Sequence, residues 1–92
     1  DAEDVLRDPR GMLQVLCVRV GVPFSERMLS WPAGPRPTDG IWARYWYDAV
    51  ERSTGFEPWR PRPRTVAPEL APLLEQCQPL YQELARHRLG PA

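Results

Sequence analysis

Twelve of the 92 residues are proline. Proline fixes φ, offers no amide hydrogen and breaks helix interiors and central strands. With six glycines, these residues make up about a fifth of the chain. That is short of the roughly 25–30% that marks low complexity. The chain is therefore expected to fold as short helices separated by stiff loops. Only one isoleucine is present, and no alternating apolar run exceeds four residues. Strand signal is correspondingly weak.

The clearest helix follows Asp8, a capping residue, with Pro9 at the first helical position. Met12, Leu13, Leu16, Cys17 and Val20 form one stripe, and Gly21 stops it. Before it, Glu3 to Leu6 reads as the end of a short strand or a turn. Val22-Pro23-Phe24 is extended. Ser25 and Glu26 open a short helix that runs to Leu29. A proline- and glycine-rich loop of about ten residues follows. Thr38 or Asp39 is placed to cap an aromatic helix with the stripe Trp42, Tyr45, Trp46, Ala49 and Val50, ending at Gly55. From Phe56 to Thr65, prolines and arginines alternate in a polyproline-like connection. The last helix starts near Pro68 with the stripe Leu70, Leu73, Leu74, Cys77, Leu80, Tyr81 and Leu84. Pro79 is expected to kink or split it. The organisation is thus 1–24, 25–56, a 57–67 Arg/Pro linker, and a 68–89 C-terminal helix. The fold class is mainly α, with three to four helices joined by Pro-rich loops. Such helices either pack on one another or cover a sheet lying elsewhere.

Charge narrows the function classes. Twelve basic residues balance twelve acidic ones, which argues against a nucleic-acid partner. No apolar run is long enough for a membrane span, and a cytoplasmic location is expected. All the basic residues are arginine, so no lysine is available for a Schiff base or for a phosphate-loop lysine. No GxGxxG or phosphate-loop motif occurs. His87 stands alone, and Cys17 and Cys77 lie on separate helices, so no metal site is expected. Serines 25, 30 and 53 have no histidine at a helical spacing. No catalytic residue is expected. A start at Asp1 rather than Met suggests a processed product or a piece of a longer protein.

The local signals that remain are aromatic and arginine-rich. Trp31 and Trp42 flank the proline loop, and Arg36 lies within it. These three are the candidate ligand-binding residues: rings able to stack on a nucleobase, and a fork matched to phosphate or sulfate. The plain readings stand beside this one: rings as core packing, and Arg36 as a surface or structural ion pair. Trp59 to Arg64 has the composition of a proline-rich docking ligand or of a stiff, charged crossing.

Taken together, Asp8-Pro9 with Leu13, Leu16 and Cys17, then Gly21-Val22-Pro23-Phe24, then Met28-Leu29-Ser30-Trp31-Pro32-Ala33-Gly34-Pro35 make a recognisable string. It continues with Asp39-Gly40-Ile41-Trp42, Trp46-Tyr47 and Ser53-Thr54-Gly55-Phe56. This resembles the C-terminal part of bacterial sulfotransferase-family proteins of the P-loop-like group, which have branched-chain-aminotransferase-like relatives in plants. The resemblance spans roughly residues 3 to 88. It implies a larger α/β parent that transfers a sulfuryl group from 3′-phosphoadenylyl sulfate. The family's phosphate-binding loop and its 3′-phosphate contacts have no counterpart here. This chain is therefore expected to hold no cofactor and to be inactive alone. Its expected partners are the remainder of the parent domain and a small-molecule sulfate acceptor, with no nucleic acid and no membrane. The alternative is a small standalone helical interaction module that uses the Arg/Pro stretch and the aromatic face.

Overall fold

A computed structural model describes residues 1–90. The chain is mainly α. Five α-helices run in order: α1 Ala2–Arg7, α2 Pro9–Val20, α3 Ala43–Trp46, α4 Asp48–Arg52 and α5 Ala71–Ala85. Short 3-10 turns at Glu26–Met28 and Pro68–Leu70 precede the central loop and α5. Among the described residues the only pairing outside helices is one antiparallel bridge, between Ser30 and Gly55.

Residues 2–7 correct the strand expectation, because they are helical. Asp1 stands at the N-cap, Glu3 and Asp4 sit in the first turn, and Arg7 donates to Glu3 at 2.8 Å one turn back. Acidic residues at the N-terminal end and an i,i+4 ion pair both favour helix. Val5-Leu6 has no partner strand to set against them.

α2 forms as its sequence dictates. The Asp8 carboxylate accepts from the Gly11 amide at 2.9 Å, and Pro9 fills the first turn. Gly21 lies at φ 75°, the left-handed conformation that glycine adopts without Cβ cost. There the Val22 amide bonds the Cys17 carbonyl at 3.0 Å and the Gly21 amide bonds that of Val18 at 3.3 Å. This is a Schellman ending. Ser25 caps the next turn, accepting from the Arg27 amide at 3.3 Å.

The aromatic helix differs from expectation in two ways. It starts at Ala43, not behind Thr38 or Asp39, and it is split at Tyr47 into α3 and α4. Asp39 is used elsewhere. Its carboxylate accepts from the Arg36 amide at 2.8 Å, while its own amide donates to the Arg36 carbonyl at 3.1 Å. That closes a turn instead of opening a helix. Trp42, Tyr45, Trp46 and Tyr47 are poor helix formers, which makes a break among them cheap. After the break, the Glu51 carbonyl accepts from the Gly34 amide at 2.6 Å, fastening α4 to the loop.

α5 is not split at Pro79; the helix runs through it. Every residue from Leu70 to Leu84 is exposed, so water can serve the Glu75 carbonyl that Pro79 leaves without a donor.

Packing departs most from the pattern. Only Met12 and Cys17 are buried among the described residues, and the Cys17 sulfur lies 3.8 Å from that of Met28. Leu16 of the α2 stripe is 44% exposed and Leu73 of the α5 stripe 58%. The apolar stripes of α2 and α5 are therefore largely open. The total surface is 8164 Å². A compact monomer of 10.6 kDa would expose roughly 5,500 Å². The radius of gyration is 16.9 Å, against roughly 12 Å for a compact domain of this length. The helices are well formed, yet no core gathers them.

Candidate functional site

The ordered centre of the chain is the loop between the first 3-10 turn and α3, together with the strip at residues 53–56 that closes beneath it. The Ser30–Gly55 bridge joins the two, and the Trp31 amide donates to the Thr54 carbonyl at 3.0 Å. The two segments approach closely at Gly55: a Cβ there would come within 3.2 Å of the Leu29 carbonyl oxygen, which would have to give by a few tenths of an ångström. On the other side, Arg10 of α2 pairs with Glu26 and holds the 3-10 turn in place. The hydrogen bond to Glu26, and then its charge, push the Arg10 guanidinium above the usual arginine range. A raised arginine contributes stability that is present below its ordinary range and lost only as pH climbs beyond it. This pair therefore brings no pH dependence near neutrality.

Trp31 is half-buried at the base of the loop. Its indole nitrogen donates to the Ser53 hydroxyl at 2.9 Å, and Ser53 in turn donates to the Val50 carbonyl at 2.6 Å. The Trp31 ring meets Phe56 edge-on, with centroids 5.5 Å apart and planes at 81°. Both ring and polar tip are thus engaged inside the protein.

Arg36 sits half-buried within the loop. Its guanidinium reaches back to the Pro32 carbonyl at 3.4 Å, and it makes no ion pair among the described residues. Trp42 lies at the far end, 55% exposed. It stacks on Trp46 with centroids 5.0 Å apart and planes at 8°. Arg44 lies over the Tyr45 ring at 4.8 Å, a cation–π contact. The structure gives Trp31 and Trp42 different neighbours, and no ring contact joins them. Arg36 is tied toward Trp31 through Pro32.

The helix start at the loop end gives an anion little help. α3 has four residues, so its dipole is too short to make an anion site there. What remains for ligand contact is the Arg36 fork and the outer face of the Trp42–Trp46 stack. Sequence reasoning missed the part played by Ser53. It weighed Ser53 only as a nucleophile, whereas its hydroxyl is the hinge between Trp31 and α4. The Ser53–Phe56 string itself carried the signal. Among the described residues no cluster of His, Cys, Asp and Glu is arranged to hold a metal ion. No helix there is long and apolar enough to cross a membrane.

Two proteins of Arabidopsis thaliana are similar to the chain: branched-chain-amino-acid aminotransferase-like protein 2 and branched-chain-amino-acid aminotransferase-like protein 1. Each is 45% identical over 87 residues, which is 95% of this chain. The chain spans only 16% of the length of either relative. No solved structure matches it. The strings that build the Trp31 loop and its Ser53–Phe56 floor lie within a match to the sulfotransferase domain family over residues 1–88, and the chain belongs to that family.

Proposed function

We propose that this chain is the C-terminal helical part of a sulfotransferase-like α/β protein. In that protein it covers the sheet and lends the Trp31–Trp42 loop to the wall of the donor pocket. One observation carries this reading. The exposed surface exceeds that of a compact monomer by roughly 2,700 Å², and the excess is rich in Leu, Val, Trp and Tyr side chains. That is at or above the upper end of what one face of an obligate interface buries, roughly 1,000–2,500 Å². The apolar stripes of α2 and α5 are the surfaces that the rest of the protein would cover.

The parent would transfer a sulfuryl group from 3′-phosphoadenylyl sulfate to an acceptor hydroxyl. Residues outside this chain would grip the donor's phosphosulfate. The chain's own part is to close the pocket: Arg36 offers a guanidinium fork to an anionic group, and Trp42 offers a flat face to a base. With neither a lysine nor a phosphate loop, it lacks the groups expected to grip the donor's phosphosulfate. The rival reading, a standalone interaction module, requires the chain to hold its helices by itself.

Amide hydrogen exchange separates the two. In the full-length protein, α2 and α5 amides are expected to be protected, while in the isolated 92-residue chain α5 exchanges freely. Equal protection of α5 in both samples would sink the proposal.

A further inference from the structure

The Arg/Pro stretch lies outside the site described above, and its arginines lead to a hydroxyl. Residues 57–66 carry neither helix nor bridge, and their backbone groups make no hydrogen bond among the described residues. Every residue from Arg60 to Val66 is exposed. Thr65 is the one hydroxyl residue between Phe56 and Ala67. Its side chain makes no hydrogen bond among the described residues. Pro61 and Pro63 fix φ, so little backbone entropy is lost when a partner takes the segment extended. At polyproline spacing, Arg60 to Val66 spans about 19 Å.

Charge marks the same hydroxyl. Arg60, Arg62 and Arg64 stand five, three and one residues before Thr65. None has a carboxylate within ion-pair distance among the described residues. The stretch runs along α1, but the acids there are engaged. Glu3 pairs with Arg7 at 2.8 Å, and the Asp1 carboxylate accepts from Tyr81 at 2.6 Å and from Arg88 at 3.2 Å. The three guanidinium forks are free to take carboxylates from elsewhere.

The other hydroxyls of the chain are held differently. Ser30 also follows an arginine, Arg27, by three residues, but its backbone is fixed by the bridge to Gly55. Thr38 lies in the turn that Arg36 and Asp39 close. The Ser25 and Ser53 side chains are hydrogen-bonded, and the Thr54 carbonyl accepts from the Trp31 amide.

We propose that Thr65 is a phosphorylation site, read by a Ser/Thr protein kinase whose peptide groove is lined by carboxylates. Such a groove takes its substrate extended, and charge pattern selects the substrate. Arg60 and Arg62 would engage the acidic groove while Thr65 reaches the γ-phosphate of ATP. The Thr65 hydroxyl oxygen attacks the γ-phosphorus, and the bond from that phosphorus to the departing ADP breaks. The hydroxyl proton passes to the kinase's catalytic carboxylate. The product carries a charge of about −1.5 to −2 beside three guanidiniums, so it cancels more than half of the positive charge of the stretch. The proposal does not depend on the sulfotransferase reading.

The test incubates the native full-length protein with magnesium, ATP and the catalytic domain of protein kinase B, an arginine-reading enzyme. Peptide mass spectrometry locates the phosphoryl group. One group is expected, on Thr65. T65A is expected to abolish labelling there and T65S to restore it. R60A/R62A keeps the hydroxyl and should lower kcat/KM roughly tenfold or more, as lost charge-assisted hydrogen bonds would. A proline-directed kinase should leave Thr65 unlabelled, because Val66 follows it. Unchanged thermal unfolding of the variants shows that the effect is not one of folding. Labelling of Thr65 only after heat unfolding would place it beneath the rest of the fold and overturn the proposal. Labelling at Ser30 or Thr38 instead of Thr65, equal kcat/KM in R60A/R62A, or no labelling of the wild type would each overturn it too.

Discussion

The start of α2 offers a sharp test of how sequence dictates local structure, because one carboxylate and one glycine there depend on each other. The Asp8 carboxylate folds over the first turn to meet the Gly11 amide. A Cβ on Gly11 would run into that carboxylate, with its Cγ at 2.8 Å. Asp8→Ala removes the cap and is expected to cost about 1 kcal/mol. Gly11→Ala has two opposing effects. Alanine in a helix is better than glycine by about 1 kcal/mol. The new methyl group, however, displaces the exposed Asp8 side chain and forfeits the cap, a loss of similar size. The single change should therefore be nearly neutral. In an Asp8→Ala background the cap is already gone, so the same Gly11→Ala change should stabilise by about 1 kcal/mol. The predicted coupling is thus about 1 kcal/mol between residues three apart. Hydrogen exchange of α2 amides in the full-length protein, read for the two single variants and the double, measures it. If Gly11→Ala stabilises α2 equally with and without Asp8, the cap is not held as described.

Other consequences are as direct. Leu73→Ala is expected to cost about 1 kcal/mol or less in the isolated chain, where Leu73 is 58% exposed. In the full-length protein the expected cost is 2–5 kcal/mol, and equal costs by urea unfolding would refute coverage of α5. Ser53→Ala leaves the part-buried Trp31 indole nitrogen without its acceptor and should cost about 1–3 kcal/mol. A Trp fluorescence spectrum and melting temperature both unchanged would show that the contact is idle. Arg36→Ala should weaken adenosine 3′,5′-bisphosphate binding to the full-length protein by about 1–3 kcal/mol, followed by tryptophan quenching. Equal affinity would leave Arg36 as a loop brace through Pro32.

α2 was legible residue by residue, because its signals are local: a cap, a proline and a glycine within one stretch of chain. The Ser25 turn and the Pro68 start were legible for the same reason. α1 was missed because a six-residue helix has no stripe to read, only a favourable arrangement of charges. The aromatic helix was drawn too long because Asp39 has two local uses, helix cap and turn closure, and the Arg36 amide competes for it. The stripes of α2 and α5 correctly mark apolar faces. A stripe says that a face seeks burial, but it does not say that the covering atoms belong to the same 92 residues. At the candidate site, sequence singled out Trp31, Arg36 and Trp42, but their neighbours depend on the long-range bridge at Ser30 and Gly55, which has no periodic signature.

The Asp1 carboxylate joins Tyr81 and Arg88, and so closes a ring of more than eighty residues. Closing a flexible loop of that length costs about 4 kcal/mol. One neutral-to-charged hydrogen bond and one exposed ion pair return about 2–3 kcal/mol between them. These are also the only side-chain hydrogen bonds that fasten α5 and the turn after it to earlier parts of the chain, among the described residues. The ring therefore does not hold itself shut. On these figures, contacts elsewhere in the protein would have to help keep α1 and α5 side by side. The Tyr81 hydroxyl is a spectroscopic reporter of that contact. Its ultraviolet absorbance, and the salt sensitivity of the Arg88 contact, would register whether α1 and α5 lie side by side.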